Sequence, residues 1–185
     1  ITFNALSQYW MGEISYIRRD YSTSIDIWKN FLLTPNTISL KEFELAHYNL
    51  GYAYFQRKEK NDYTNANLEF RKYLMAKTND DYNKIADANV RAADCYFMNR
   101  DFNQAAEYYE TAIALNKVDV DYSYYQKALC NGLLKNFKEK INDLKYIESH
   151  FPNSNYLGAA IFEIAETYSK DLNDGDNALV YYDHI

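Results

Sequence analysis

Apolar residues return along this chain at the spacing of one helical face. Polar–aromatic pairs mark the start of each return: Asp20-Tyr21, Asp62-Tyr63, Asp101-Phe102 and Asn136-Phe137. Their aromatics lie 42, 39 and 35 residues apart. Three residues after each aromatic come Ser24, Ala66, Ala105 and Lys140; seven after come Trp28, Phe70, Tyr109 and Leu144; ten after come Phe31, Tyr73, Ala112 and Ile147. Offsets of three, seven and ten share one face of an α-helix. Gly175, Ala178, Tyr182 and Ile185 form a fifth, C-terminal instance.

A second helix is predicted before each pair. Its centre carries a small residue, Gly12, Gly51, Ala93, Ala128 or Ala165, where a neighbouring backbone can approach closely. Short polar turns follow: Arg18-Arg19-Asp20, Asn99-Arg100-Asp101, Lys135-Asn136 and Asn173-Asp174-Gly175. In the second unit the turn is longer, Gln56 to Asp62. The pattern is helix, turn, helix, five times over, at about 3–36, 39–79, 81–117, 119–152 and 154–185. A single hairpin of this size has too little core to stand alone and must stack on its neighbours.

This unit resembles the tetratricopeptide repeat. The likeness rests on the small central residue, the aspartate–aromatic turn, and the small and bulky positions of the second helix. Ala93, Tyr96, Asp101, Phe102, Ala105, Tyr109 and Ala112 carry it most fully. Lys140 departs from it, standing where a small residue is expected. The stretch His150-Phe151-Pro152-Asn153-Ser154-Asn155-Tyr156 is similar to the linker of bacterial cell-envelope members of the family, such as the Tol–Pal periplasmic adaptor and the outer-membrane β-barrel assembly lipoprotein. Pro152 cannot continue the preceding helix, and Ser154 or Asn155 can cap the next. The resemblance implies an all-α, right-handed superhelix of about five repeats and ten helices in a single array. It favours a periplasmic or cell-envelope location over the cytoplasm.

Composition agrees with the helical reading. Of 185 residues, 20 are Tyr, 5 Gly and 2 Pro, too few turn formers for an all-β sandwich or barrel. Aromatics at 17% argue against disorder. No apolar run approaches the ~18 residues of a membrane span. The net charge of -6, with no basic block, makes nucleic acid and anionic membrane poor partners. The chain begins at Ile1 without a leader and ends inside an apolar-periodic stretch. It is therefore expected to be a piece of a longer protein.

No catalytic constellation is evident, and no cofactor or metal is expected. His47, His150 and His184 occupy non-equivalent places without partners at ligand spacing. Cys95 and Cys130 are equivalent positions of adjacent repeats. Their helices should lie ~8–10 Å apart, beyond the ~7 Å reach of a disulfide, so two free thiols are expected. Asp171-Leu172-Asn173-Asp174-Gly175-Asp176 superficially matches a calcium loop, but its glycine arrives one place early and Tyr182 stands where a bidentate Glu belongs.

The concave face is the functional candidate. The resemblance implies that first-helix residues at minus six, minus three, plus one, plus four and plus five from the central small residue point there. They include Tyr9, Glu13, Tyr16, Tyr48, Tyr52, Phe55, Asp94, Phe97, Tyr122, Tyr125 and Leu129. This surface is aromatic with scattered acids (Glu13, Asp87, Asp94, Glu166), which suits a peptide or helix with apolar anchors and some Lys or Arg. The expected function is a non-enzymatic protein–protein interaction scaffold. An architectural spacer and a glycan-binding module are alternative uses of the same array.

Overall fold

The computed structural model describes residues 2–76 and 80–184, except for the side chains of Thr2 and Phe3. Ile185, the last position of the fifth repeat, and residues 77–79, the end of the second, lie outside them. The described residues form ten α-helices and no strand: α1 (Thr2–Ile17), α2 (Tyr21–Leu33), α3 (Lys41–Arg57), α4 (Asp62–Leu74), α5 (Tyr82–Met98), α6 (Phe102–Leu115), α7 (Val120–Leu133), α8 (Phe137–His150), α9 (Leu157–Glu166) and α10 (Gly175–Tyr182). A short 3₁₀ turn, Thr37–Ser39, precedes α3, and a π-helical turn, Thr167–Asp171, follows α9. None of the helices is long and apolar enough to cross a membrane.

Two compact units are present, one up to Asn99 and one from Arg100. In the first, each of α1 to α4 packs on the next helix in sequence, and α1 also touches α3. In the second, α6 to α9 follow the same rule.

The turns explain how so few glycines suffice. At Arg19 the backbone adopts φ 62° and at Lys135 φ 63°, each just past a helix end. The Arg19 N–H donates to the Tyr16 carbonyl at 2.8 Å and the Asp20 N–H to that of Ser15 at 2.9 Å. Lys135 and Asn136 repeat this with Gly132 and Asn131. These paired bonds satisfy carbonyls that a helix end leaves open. The aspartate of the turn then opens the next helix. Carboxylates of Asp20, Asp101 and Asp174 accept from the N–H groups of Thr23, Gln104 and Asn177. The polar–aromatic pair is thus an N-cap followed by the first helical residue. The Asp171–Asp176 stretch is the turn into α10.

Asp62 behaves differently, because its turn is longer. Its carboxylate, 1% exposed, receives two bonds from the Arg57 guanidinium, at 2.9 and 2.8 Å, and one from the Glu59 N–H. The N-cap of α4 is Asn61, in the left-handed region.

The core positions seven and ten residues beyond the first four turns are buried, whereas Tyr182 of the fifth is half-buried and Gly175 exposed. Trp28, Phe31, Phe70 and Tyr73 are enclosed in the first unit. Leu144 and Ile147 pack with Ala128, Ala160 and Ile164 in the second. What the small central residue makes room for is a ring. A Cβ added at Gly12 would sit 2.4 Å from Nε1 of Trp28, whose indole N–H donates to the Tyr9 carbonyl at 3.1 Å. Gly12→Ala must displace the fully buried Trp28 ring. Overpacking costs ~1–3 kcal/mol, and the alanine's better helix propensity returns ~1 of it. The expected net loss is about 0–2 kcal/mol in denaturant unfolding.

Lys140 also has a structural account. Its side chain passes over Gly132, 3.0 Å from where a Cβ would lie, and its ammonium pairs with Glu163 of α9 at 2.7 Å. A long cation replaces the small residue because a glycine stands opposite and a carboxylate waits beyond. At the following linker, Ser154 accepts from the Tyr156 N–H and donates to Asp121 at 2.6 Å, while α9 itself starts after Tyr156 with no side-chain cap.

Candidate functional site

The first helices of the first unit bring four of the predicted face residues together. Glu13 and Tyr16 on α1, with Tyr48, Asn49 and Tyr52 on α3 and Trp28 of α2 behind them, line a cavity of about 230 Å³. The helical period explains the grouping. Glu13 and Tyr16 are three apart, Tyr48 and Tyr52 four apart, so each pair projects from one side of its helix. The two α3 rings meet edge-to-face with centroids 5.1 Å apart. Tyr16 lies against Trp28, with centroids 6.1 Å apart.

Two hydrogen-bond networks fix these rings. In the first, the Tyr9 hydroxyl donates to Glu13 at 2.9 Å and accepts from the Asn49 side-chain amide at 2.9 Å. Asn49 also donates to the same Glu13 oxygen. In the second, the Tyr48 hydroxyl donates to Asp87 of α5 at 2.7 Å, and Tyr52 donates to the same carboxylate oxygen. Arg91 reaches Asp87 at 3.4 Å and Asp94 at 2.6 Å. Burial, then the neighbouring Tyr52 and the Asp87 charge, raises the Tyr48 phenol well above its ordinary value. Burial and Asp87 do the same to Tyr52. Both phenols are therefore neutral donors at physiological pH.

Not every predicted residue lies on the open face. Tyr9 is only 4% exposed and packs edge-on to Phe31, with centroids 5.7 Å apart. Asp94 is buried against Arg91. Phe55 is half-buried against Tyr63. Phe97 is half-buried on α5. Of the four acids read as open charges, Asp87 and Asp94 share Arg91, and Glu166 pairs with Lys170 and accepts from Tyr182. Glu13 alone has no cationic partner among the described residues.

In the second unit, Tyr122 and Tyr125 gather around Tyr156, which Tyr125 stacks on at 5.4 Å. Leu129 is half-buried one turn along α7. A separate concavity of about 510 Å³ between α6, α7 and α8 is lined by Glu107, Glu110, Glu139 and Asp143 with Lys127, which pairs with Glu110 and Asp143.

Asn49 and Trp28 belong to the cavity but not to the predicted face. A signal for Asn49 existed: a polar residue two places before the central small residue recurs as Asn49, Arg91, Gln126 and Glu163. Asn49, Arg91 and Glu163 each hold a charged partner in the structure. Cys95 and Cys130 are both buried free thiols, and burial raises the Cys95 thiol. His47 pairs with Glu69 at 2.6 Å. No group of three or more His, Cys, Asp or Glu among the described residues could hold a metal ion.

Known proteins resemble this chain in fold far more than in sequence. The family model of the tetratricopeptide repeat matches residues 87–116. No curated protein sequence matches. Among solved structures, a MamA protein superposes with a TM-score of 0.81 at 18% identity, over 99% of this chain and 90% of that one. MamA from Desulfovibrio magneticus RS-1 gives 0.75 at 15% identity, over 97% and 92%. A Podosopora anserina putative kinesin light chain with TPR-like repeats gives 0.67 at 13% identity, over 98% and 92%. The fold is thus the all-α, TPR-like repeat fold.

Proposed function

We propose that the chain is a non-enzymatic interaction scaffold that binds a polypeptide segment along the first-helix face. The segment presents apolar or aromatic anchors and basic residues. The observation that carries this reading is the cavity between α1 and α3, lined by Tyr16, Tyr48 and Tyr52 and by Glu13, which has no cationic partner among the described residues. Tyrosine suits such a surface, since it offers large contact area at low entropic cost and a hydrogen-bonding tip. Holding the phenols on Asp87 pre-organises the rings and lowers the ordering cost of binding. On the same reading, Tyr122, Tyr125 and Leu129 form a second contact patch in the second unit. The likeness of His150–Tyr156 to envelope linkers supports placing the protein in a bacterial cell envelope.

Peptides selected from a random display library against the intact chain should carry aromatic or aliphatic residues together with Arg or Lys. Tyr48→Ala with Tyr52→Ala should weaken them at least tenfold while circular dichroism retains the helical signal. Selected peptides that bind the folded double variant unchanged would refute the assignment.

A further inference from the structure

Resting on that reading, we infer that the α1–α3 cavity is a pocket for a single arginine side chain of the partner polypeptide. The argument begins with charge. Glu13 lines the cavity, and both of its hydrogen bonds come from uncharged donors, Tyr9 and Asn49, on one oxygen, Oε1. Its second oxygen has no partner among the described residues. Arg91 of α5 pairs with Asp87 and Asp94. Glu42, at the start of α3, is nine-tenths buried, has no ion-pair partner among the described residues, and adds to the negative charge felt at Tyr9. The locality carries an excess of negative charge beside an opening.

Shape and donor chemistry then select the cation. Tyr16, Tyr48 and Tyr52 present rings around the opening, and a guanidinium stacks on aromatic faces while giving up little hydration. Two acceptors are left over at separate points, the second oxygen of Glu13 and the side-chain carbonyl of Asn49, whose amide nitrogen is already committed. A planar fork with five donors spans two separated acceptors; an ammonium is a compact point charge that keeps its water more strongly. A volume of about 230 Å³ accepts one such side chain with its stem along the rings.

The test uses N-acetyl-arginine methylamide as the probe, with the lysine, citrulline and norleucine analogues as comparators. Each is titrated into the intact chain and followed by NMR at the Trp28 indole N–H and the Asn49 side-chain amide. The arginine probe should give saturable shifts at both reporters and bind at least fivefold more tightly than the lysine analogue. Citrulline and norleucine should not saturate. Glu13→Gln, which keeps the shape and the Tyr9 and Asn49 bonds, should weaken the arginine probe at least tenfold with an unchanged melting temperature. Equal binding of citrulline, equal binding of lysine, an unaffected Glu13→Gln, or no saturable shift with any probe overturns the inference. Display-selected peptides that still bind the face in that event would leave the scaffold reading standing. An arginine probe that saturates while no peptide binds would do the reverse.

Discussion

Trp28→Ala is expected to lower stability by about 3–5 kcal/mol, the largest effect of any single truncation in the first unit. The ring is fully buried, covers the backbone at Gly12, and donates its N–H to the Tyr9 carbonyl at 3.1 Å. Removing it deletes the apolar contact, leaves that carbonyl without its indole donor, and opens a void that merges with the 230 Å³ cavity it already walls. The site cannot collapse easily, because Tyr9 and Tyr16 are anchored on a helix that the missing ring had positioned. Repeat proteins transmit such losses to near neighbours more than along the whole array. Hydrogen exchange should therefore show α1 and α2 losing protection ahead of α7 and α8. Trp28→Phe, which restores a ring without the indole donor, should recover more than half of the loss. A change below about 1 kcal/mol for Trp28→Ala would contradict this account of the core.

Asp62→Ala is expected to cost about 2–4 kcal/mol, because it strands a partly buried guanidinium and an N–H together. The Arg57 fork closes on a carboxylate with almost no solvent access, and the same carboxylate ties down the Glu59 N–H. Hydrogen bonding from Arg57 outweighs burial and holds the Asp62 carboxyl below its ordinary value. In the unfolded chain this group titrates near 4. A depressed native value means the contribution is complete above that pH and fades as pH falls through the native value, when the folded state must also take up the proton. Asp62→Asn should therefore reduce stability at pH 7 and flatten the acid limb of the stability profile. A variant that tracks the parent through the acid range would show that the clamp contributes nothing.

How much of this was readable from residues alone varies by position. The core offsets were legible because a helix imposes its period on whatever sequence it carries: Trp28, Phe70 and Leu144 sit seven beyond each turn and are buried. The capping role of Asp20 and Asp101 was implicit in their place before an aromatic at a helix start. Asp62 shares that sequence context and does something else, because its partner Arg57 reaches it only across a longer turn. Tyr9 shows a second limit. Periodicity states the direction a side chain leaves its own helix, not how near Phe31 and Asn49 approach from others. The pairing of Asp87 and Asp94 was within reach, since Arg91 lies four residues from one and three from the other on one helix. The same holds for Glu166 and Lys170. Counting those i,i+3 and i,i+4 partners removes three acids and leaves Glu13, the one that matters for the cavity.

The most direct test of the central claim is to map where a display-selected peptide sits on the intact, isotope-labelled chain. Chemical-shift changes on titration should concentrate on Glu13, Tyr16, Tyr48, Asn49 and Tyr52, with the Trp28 indole responding from behind. Changes confined to the outward surfaces of α2 and α4, with these six residues silent, would contradict it.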